Sequence, residues 1–91
     1  MIDIQDTINS KKYKDINEKF KTCFLERIGE YAIFEFFDDW IRVTRERLVR
    51  IENVYDDFVR LAVVDKNGNA KYYECCNYAS LYCKNCKVVF I

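Results

Sequence analysis

FVRLAVVDKNGNAKYYECC, residues 58–76, reads as a β-hairpin. Two runs rich in β-branched and aromatic residues, 58–65 and 70–76, flank Asn67-Gly68. Asn-Gly between such runs is the strongest short-range hairpin signal a sequence carries. Downstream, residues 78–82 lose the alternation and predict a single turn of helix, and residues 87–91 predict a closing strand. Upstream, Asp56 and Asp57 mark a turn. Residues 40–53 form a long run in which Ile41, Val43, Val49 and Ile51 are expected to face inward. Arg45-Glu46-Arg47 is expected to interrupt that run with a turn or bulge. Asp38 and Asp39 mark the turn before it. From Glu30 the period is two, with Ala32, Phe34 and Phe36 alternating against Tyr31, Ile33 and Glu35.

The first third has the other period. Ile16, Phe20, Phe24 and Ile28 recur at spacing four, with Cys23 beside them and polar residues opposite, which predicts an amphipathic helix. Ile4 and Ile8 extend a weaker stripe, and the pattern leaves open whether residues 3–13 belong to the same helix. Gly29 stands where a C′ glycine would stop it. The expected architecture is therefore α+β and a single domain over residues 1–91. A helical segment, 1–28, packs on a small five-stranded antiparallel SH3-like β-barrel, 30–91. A lone helical turn before the last strand is a habit of SH3-like barrels, and the Ile16/Phe20/Phe24 stripe would cover one open end.

Composition bounds the function. Ninety-one residues make one domain. A 51% hydrophobic content with seven Phe and seven Tyr supplies a dense core and excludes a disordered tail. Fifteen basic residues balance fifteen acidic ones, so the overall basic excess of a phosphate-binding protein is absent. No run approaches the roughly 18 apolar residues that span a bilayer, and the charged N-terminus lacks the apolar segment of a signal peptide. These features predict a cytoplasmic protein without a membrane partner, in which five cysteines stay reduced. With no Pro and two Gly, long flexible linkers are not expected.

Residues 17–90 resemble the Veg family, small SH3-like barrel proteins of low-GC Gram-positive bacteria. The features that carry the resemblance are a helix ending at Gly29, a basic stretch from Arg42 to Arg50, and the Val54-Tyr55-Asp56-Asp57-Phe58 turn. The closing turn Asn77-Tyr78-Ala79-Ser80-Leu81-Tyr82-Cys83 completes the pattern. The family's usual proline after Tyr55 is missing, Ser80 replaces an acidic residue, and the first dozen residues have no counterpart. The resemblance implies an SH3-like barrel and a role in surface-growth behaviour rather than a reaction. It also implies that Cys83 and Cys86 occupy a Thr-like and an apolar strand position.

Catalytic chemistry finds little support. The chain has no histidine, so no Ser–His or Cys–His pair exists. The paired acids at 38–39 and 56–57 sit in predicted turns, where Asp is favoured for its backbone hydrogen bonds. Asp65-x-Asn67-Gly68-Asn69 brushes against a calcium loop, but its glycine is misplaced and no Glu closes it. A phosphate-cradling glycine loop has too few glycines to form. No enzyme activity and no cofactor are expected.

Cys75, Cys76, Cys83 and Cys86, including the C-x-x-C at 83–86, are the alternative metal set, since four thiolates can hold zinc tetrahedrally. Against it, adjacent Cys75 and Cys76 would point to opposite faces of a strand, and free Cys packs as a small hydrophobe. A redox C-x-x-C would want a helix N-terminus to lower a thiol pKa, and none is predicted there.

Arg42, Arg45, Arg47 and Arg50 fall within nine residues, with Trp40 at their edge. Arginine suits bidentate contact with phosphate or carboxylate and stacking on aromatics. These five residues and Tyr72 are the candidate partner-binding set. The plainer reading pairs the arginines with Asp38, Asp39, Glu52, Asp56 and Asp57, and puts Trp40 in the core. Tyr72, Tyr73, Tyr78 and Tyr82 either line the barrel or leave an apolar patch. A terminal strand at 87–91 could pair with a second copy to give a homodimer.

The expected function is thus a non-enzymatic protein-interaction module. A small phage or mobile-element inhibitor of the anti-defence or anti-CRISPR type is one form of it. The alternatives are a nucleic-acid-binding regulator using the arginine strand and a zinc-stabilised binding module.

Overall fold

The computed structural model describes the backbone of residues 4–91 and the side chains of residues 14–91. One helix, α1 (Ile4–Leu25), is followed by β1 (Tyr31–Asp38), β2 (Val43–Val54), β3 (Phe58–Val64), β4 (Ala70–Asn77), α2 (Tyr78–Tyr82) and β5 (Cys86–Phe90). The question left open by the sequence is answered: residues 4–13 continue the helix. The side chains of Ile4 and Ile8 lie outside the described residues.

The strands form one antiparallel sheet in the order β4-β3-β2-β1-β5. The α+β class and the five strands are as expected. The hydrogen-bonded closure of a barrel is not made among the described residues, because no ladder joins the two outermost strands, β4 and β5. Those edges meet through side chains instead.

The side chains on the covered face follow from the register. Ala32 and Phe34 of β1, Val49 and Ile51 of β2, and Val59, Leu61 and Val63 of β3 are all buried in one core with Phe24, Cys76 and Tyr78. Two helices cover it. Tyr78, the first residue of α2, is fully buried. Its ring stacks with Phe20 at 5.9 Å and Phe24 at 6.0 Å between centroids. Its hydroxyl donates a 2.7 Å hydrogen bond to the Tyr55 carbonyl. Burial is the main cause that pushes the Tyr78 phenol up to about 12. Lys21 adds a 2.6 Å ion pair to Asp56 in the β2–β3 turn, tying α1 to the sheet from outside.

The helix stops earlier than Gly29 suggests. α1 ends at Leu25 and residues 26–29 form a turn that leaves Ile28 exposed, off the predicted stripe. Gly29 adopts φ +88°, and its N–H donates to the Ile51 carbonyl at 2.8 Å while Ile51 N–H donates to Glu30 at 2.9 Å. The glycine thus turns the chain onto β2, needing the left-handed backbone that glycine reaches without strain.

The Asn67-Gly68 hairpin forms between β3 and β4 as expected. Gly68 N–H donates to the Asp65 carbonyl at 3.0 Å, and Gly68 has φ +84°, a type I turn followed by a left-handed residue. The Asp65 carboxylate accepts from the Asn67 and Asn69 amides at 2.8 and 3.0 Å. This accounts for the acid that resembled a calcium ligand.

β2 differs from expectation. It runs unbroken from Val43 to Val54, so Arg45-Glu46-Arg47 is ordinary strand, and the irregularity falls between Ile51 and Asn53 instead. The C-x-x-C spacing belongs to a helix end. Lys84 N–H donates to Leu81 at 3.2 Å and Asn85 N–H to Ser80 at 3.0 Å, with Lys84 at φ +62°. This is a Schellman cap with lysine at the position glycine usually takes.

Two stability measurements check this account. Tyr78→Phe removes one hydrogen bond from a buried ring and is expected to cost about 1 kcal/mol, while Tyr78→Ala costs ~3–5 kcal/mol by cavity formation, both read from urea unfolding. Lys84→Gly relieves a left-handed non-glycine residue and is expected to raise stability by ~0.5–1 kcal/mol.

Candidate interaction surface

β1 and β2 outrun their neighbours. β1 pairs with β2 from Tyr31↔Arg50 to Asp38↔Val43, but β5 meets β1 no further than Phe36↔Cys86. β3 meets β2 no nearer the tip than Val49↔Val63. Residues 37–44 are therefore a two-stranded ribbon that projects past the five-stranded body.

The tip is built on Asp38. Its carboxylate accepts the Trp40 amide at 3.0 Å and its carbonyl accepts the Arg42 amide at 2.7 Å. Its second carboxylate oxygen lies 3.1 Å from Arg45 Nε. Arg42 closes the four-residue loop at φ +56°, the left-handed conformation that a loop of this length requires near its end.

The ribbon carries apolar side chains into solvent. Trp40 is 93% exposed, and Phe37, Ile41 and Val43 are each about half exposed. The expectation that Ile41 and Val43 face inward, and the plainer reading that puts Trp40 in the core, are corrected. They lie beyond the flanking strands, where no other element among the described residues covers them.

The arginines are largely spent on carboxylates. Arg45 pairs with Asp38, Arg50 with Glu52 at 2.7 Å, and Arg47 with Glu74 at 3.6 Å. Two of these partners, Asp38 and Glu52, are among the acids singled out from sequence. Glu74 is not, because the pairing crosses from β2 to β4 and has no local signature. Arg50 also donates to the Gly68 carbonyl at 3.2 Å, and the Glu52 contact holds its guanidinium pKa above the ordinary value. It braces the β3–β4 turn. No ion pair involves Arg42 among the described residues, and it stands beside Trp40 at the tip.

Arg47 has a different setting. It enters the curled face of the sheet with its guanidinium 5.4 Å from the Phe36 ring centre and 5.6 Å from that of Tyr72. Its Nε is buried and makes no hydrogen bond, since the Glu74 contact is too long for one. Tyr72 thus meets Arg47, and the two belong to one place; Trp40, Arg42 and Arg45 belong to another, at the tip.

The cysteines separate. Cys76 is buried and its Sγ lies 3.1 Å from that of half-buried Cys86. Cys75 is exposed on the other face of β4, and Cys83 is exposed in the helix cap. Among the described residues no three His, Cys, Asp or Glu side chains are grouped to hold a metal ion, so the four-cysteine set is not assembled. No helix among the described residues is long and apolar enough to cross a membrane.

At the base of the ribbon a groove of about 300 Å³ is lined by residues including Phe36, Phe37, Thr44 and Cys86. Sequence reasoning missed Phe37 as a surface residue. Its place opposite Phe36 in the alternation was the available signal.

Trp40 is the single tryptophan, so its fluorescence reads the tip directly. Emission of the native protein is expected at the wavelength of tryptophan in water, with full access to acrylamide and little change on unfolding in guanidinium. A blue-shifted, shielded emission would place it in a core. No protein-family model matches the chain, and no curated protein matches it.

Proposed function

We propose that this chain is a non-enzymatic protein-binding module, working in the cytoplasm, whose β1–β2 tip inserts into an apolar pocket on a protein partner. The observation that carries the reading is Trp40, 93% exposed at the end of a projecting ribbon, with Phe37, Ile41 and Val43 beside it. Uncovered aromatic and branched side chains in one place mark recognition surfaces, and tryptophan and arginine dominate the binding energy of protein interfaces. Arg42, which makes no ion pair among the described residues, flanks the apolar group and suits a partner with an acidic rim. An inhibitor of the anti-defence or anti-CRISPR type, acting by occupying such a pocket, is the specific form we favour.

Two finer readings belong with it. The meander β1-β2-β3-β4, the long β2, the short helix before β5 and the β5–β1 pairing follow the order of an SH3-like barrel. That order supports an open, Veg-like version of that fold. Self-association through the free edge of β5, where Val89 and Ile91 are exposed, is a second route to a complex with another copy. Recognition of nucleic acid by the arginine strand has less support, because Arg45, Arg47 and Arg50 are already paired.

The test is affinity capture from the native host lysate, comparing the wild-type protein with Trp40→Ala. Both should fold alike, because an exposed substitution moves stability by no more than ~0.5 kcal/mol. A protein partner captured by the wild type and weakened roughly 30-fold or more by Trp40→Ala supports the tip. Capture unchanged by the substitution rejects the tip. Recovery of nucleic acid instead, lost steeply with salt, replaces the reading with the arginine alternative.

A further inference from the structure

Cys76 lies near the end of β4 and Cys86 opens β5, the two outermost strands of the sheet. Strands at opposite edges of a five-stranded sheet bring their side chains together only if the sheet curls almost fully on itself. Their sulfurs stand 3.1 Å apart. A disulfide needs about 2.05 Å, so the remaining approach is roughly one ångström, within reach of side-chain rotation and a small movement of the edges. No ladder of backbone hydrogen bonds holds those edges at this point.

We propose that Cys76 and Cys86 form a reversible disulfide that joins the two free edges of the sheet and closes it covalently. The other thiols are directed elsewhere. Cys75 faces outward in register with Arg60, Cys83 sits exposed in the cap after α2, and Cys23 is on α1.

The chemistry is thiol–disulfide exchange with a low-molecular-weight disulfide such as oxidised glutathione. Cys86 is the more exposed sulfur and lines the open groove at the ribbon's base. The hydrogen bond between the two sulfurs holds the Cys86 pKa below the ordinary range, while the same contact and burial push Cys76 up. The Cys86 thiolate attacks one glutathione sulfur, forming a mixed disulfide and releasing one glutathione thiolate, which takes up the proton Cys86 lost. Cys76 then gives up its proton and attacks the Cys86 sulfur, displacing the second glutathione. Two protein thiols are oxidised, and one glutathione disulfide is reduced to two thiols.

The bond would do two things. It would enclose α2 and buried Tyr78 within a short covalent loop. It would also fix the spacing of the strands that flank Arg47, since Phe36 is registered opposite Cys86 and Glu74 precedes Cys76 by two residues.

The experiment uses the full chain in buffer rich in glutathione disulfide, followed by alkylation of the remaining thiols, intact mass measurement and linkage mapping. The expected result on the wild-type protein is a loss of two hydrogens, a mapped Cys76–Cys86 bond, three alkylated cysteines, and a Tm raised by roughly 10 °C that dithiothreitol reverses. The bond should persist in Cys75→Ser and Cys83→Ser and vanish in Cys86→Ser. A mapped Cys83–Cys86 or Cys75–Cys83 bond, linkage between two chains, or five free thiols after oxidation would each overturn the proposal. The wild-type mapping stands even if substitution of buried Cys76 prevents folding.

Discussion

Tyr78 is the contact on which the remaining structure hangs. It is the first residue of a five-residue helix that could not exist alone. Its ring is held between Phe20 and Phe24 of α1, and its hydroxyl reaches the Tyr55 carbonyl in the β2–β3 turn. One side chain therefore ties the N-terminal helix, the short helix and the sheet together. Its backbone N–H is also spent, on the Asp57 carbonyl at 3.1 Å. The curl of the sheet follows, because α2 must lie over the core for Tyr78 to reach it, and that draws the start of β5 toward the end of β4. The approach of Cys76 and Cys86 is the far end of the same constraint.

The body and the tip obey different physics. In the body, alternate residues of β1, β2 and β3 point into a core sealed by aromatic rings, as the Phe24–Phe90 contact with centroids 5.7 Å apart shows. At the tip the alternation persists, but none of the described residues covers it. Val43 and Ile41 look like core residues by type and are surface residues by place. The difference is set by how far β3 and β5 extend alongside β2 and β1.

This explains what could and could not be read from the sequence. The helix, the Asn67-Gly68 hairpin, the single turn at 78–82 and the last strand each carry a local signal: a period of four, a turn dipeptide, a break in alternation. The β1 core residues Ala32 and Phe34 followed from period two alone. The solvent exposure of Trp40 did not, since burial depends on which strands lie beside it, and that is a property of register between distant segments. The Arg47–Glu74 pair and the Cys76–Cys86 contact escaped for the same reason: each crosses between strands that are not neighbours in the sheet. The Schellman cap at Lys84 was hidden because lysine, not glycine, fills its left-handed position. Arg45-Glu46-Arg47 misled because charged residues in mid-strand look like a turn, when here they lie on the part of β2 that no third strand accompanies.

The projecting ribbon has a consequence for how this protein can change. Residues 37–44 hydrogen-bond to each other and lie outside the core, so their identity weighs little on whether the body folds. Substitutions there are filtered by what they touch on another molecule rather than by the collapse of this one. The scaffold can thus exchange its outermost four or five side chains, and with them its target, while the aromatic centre around the short helix stays as it is.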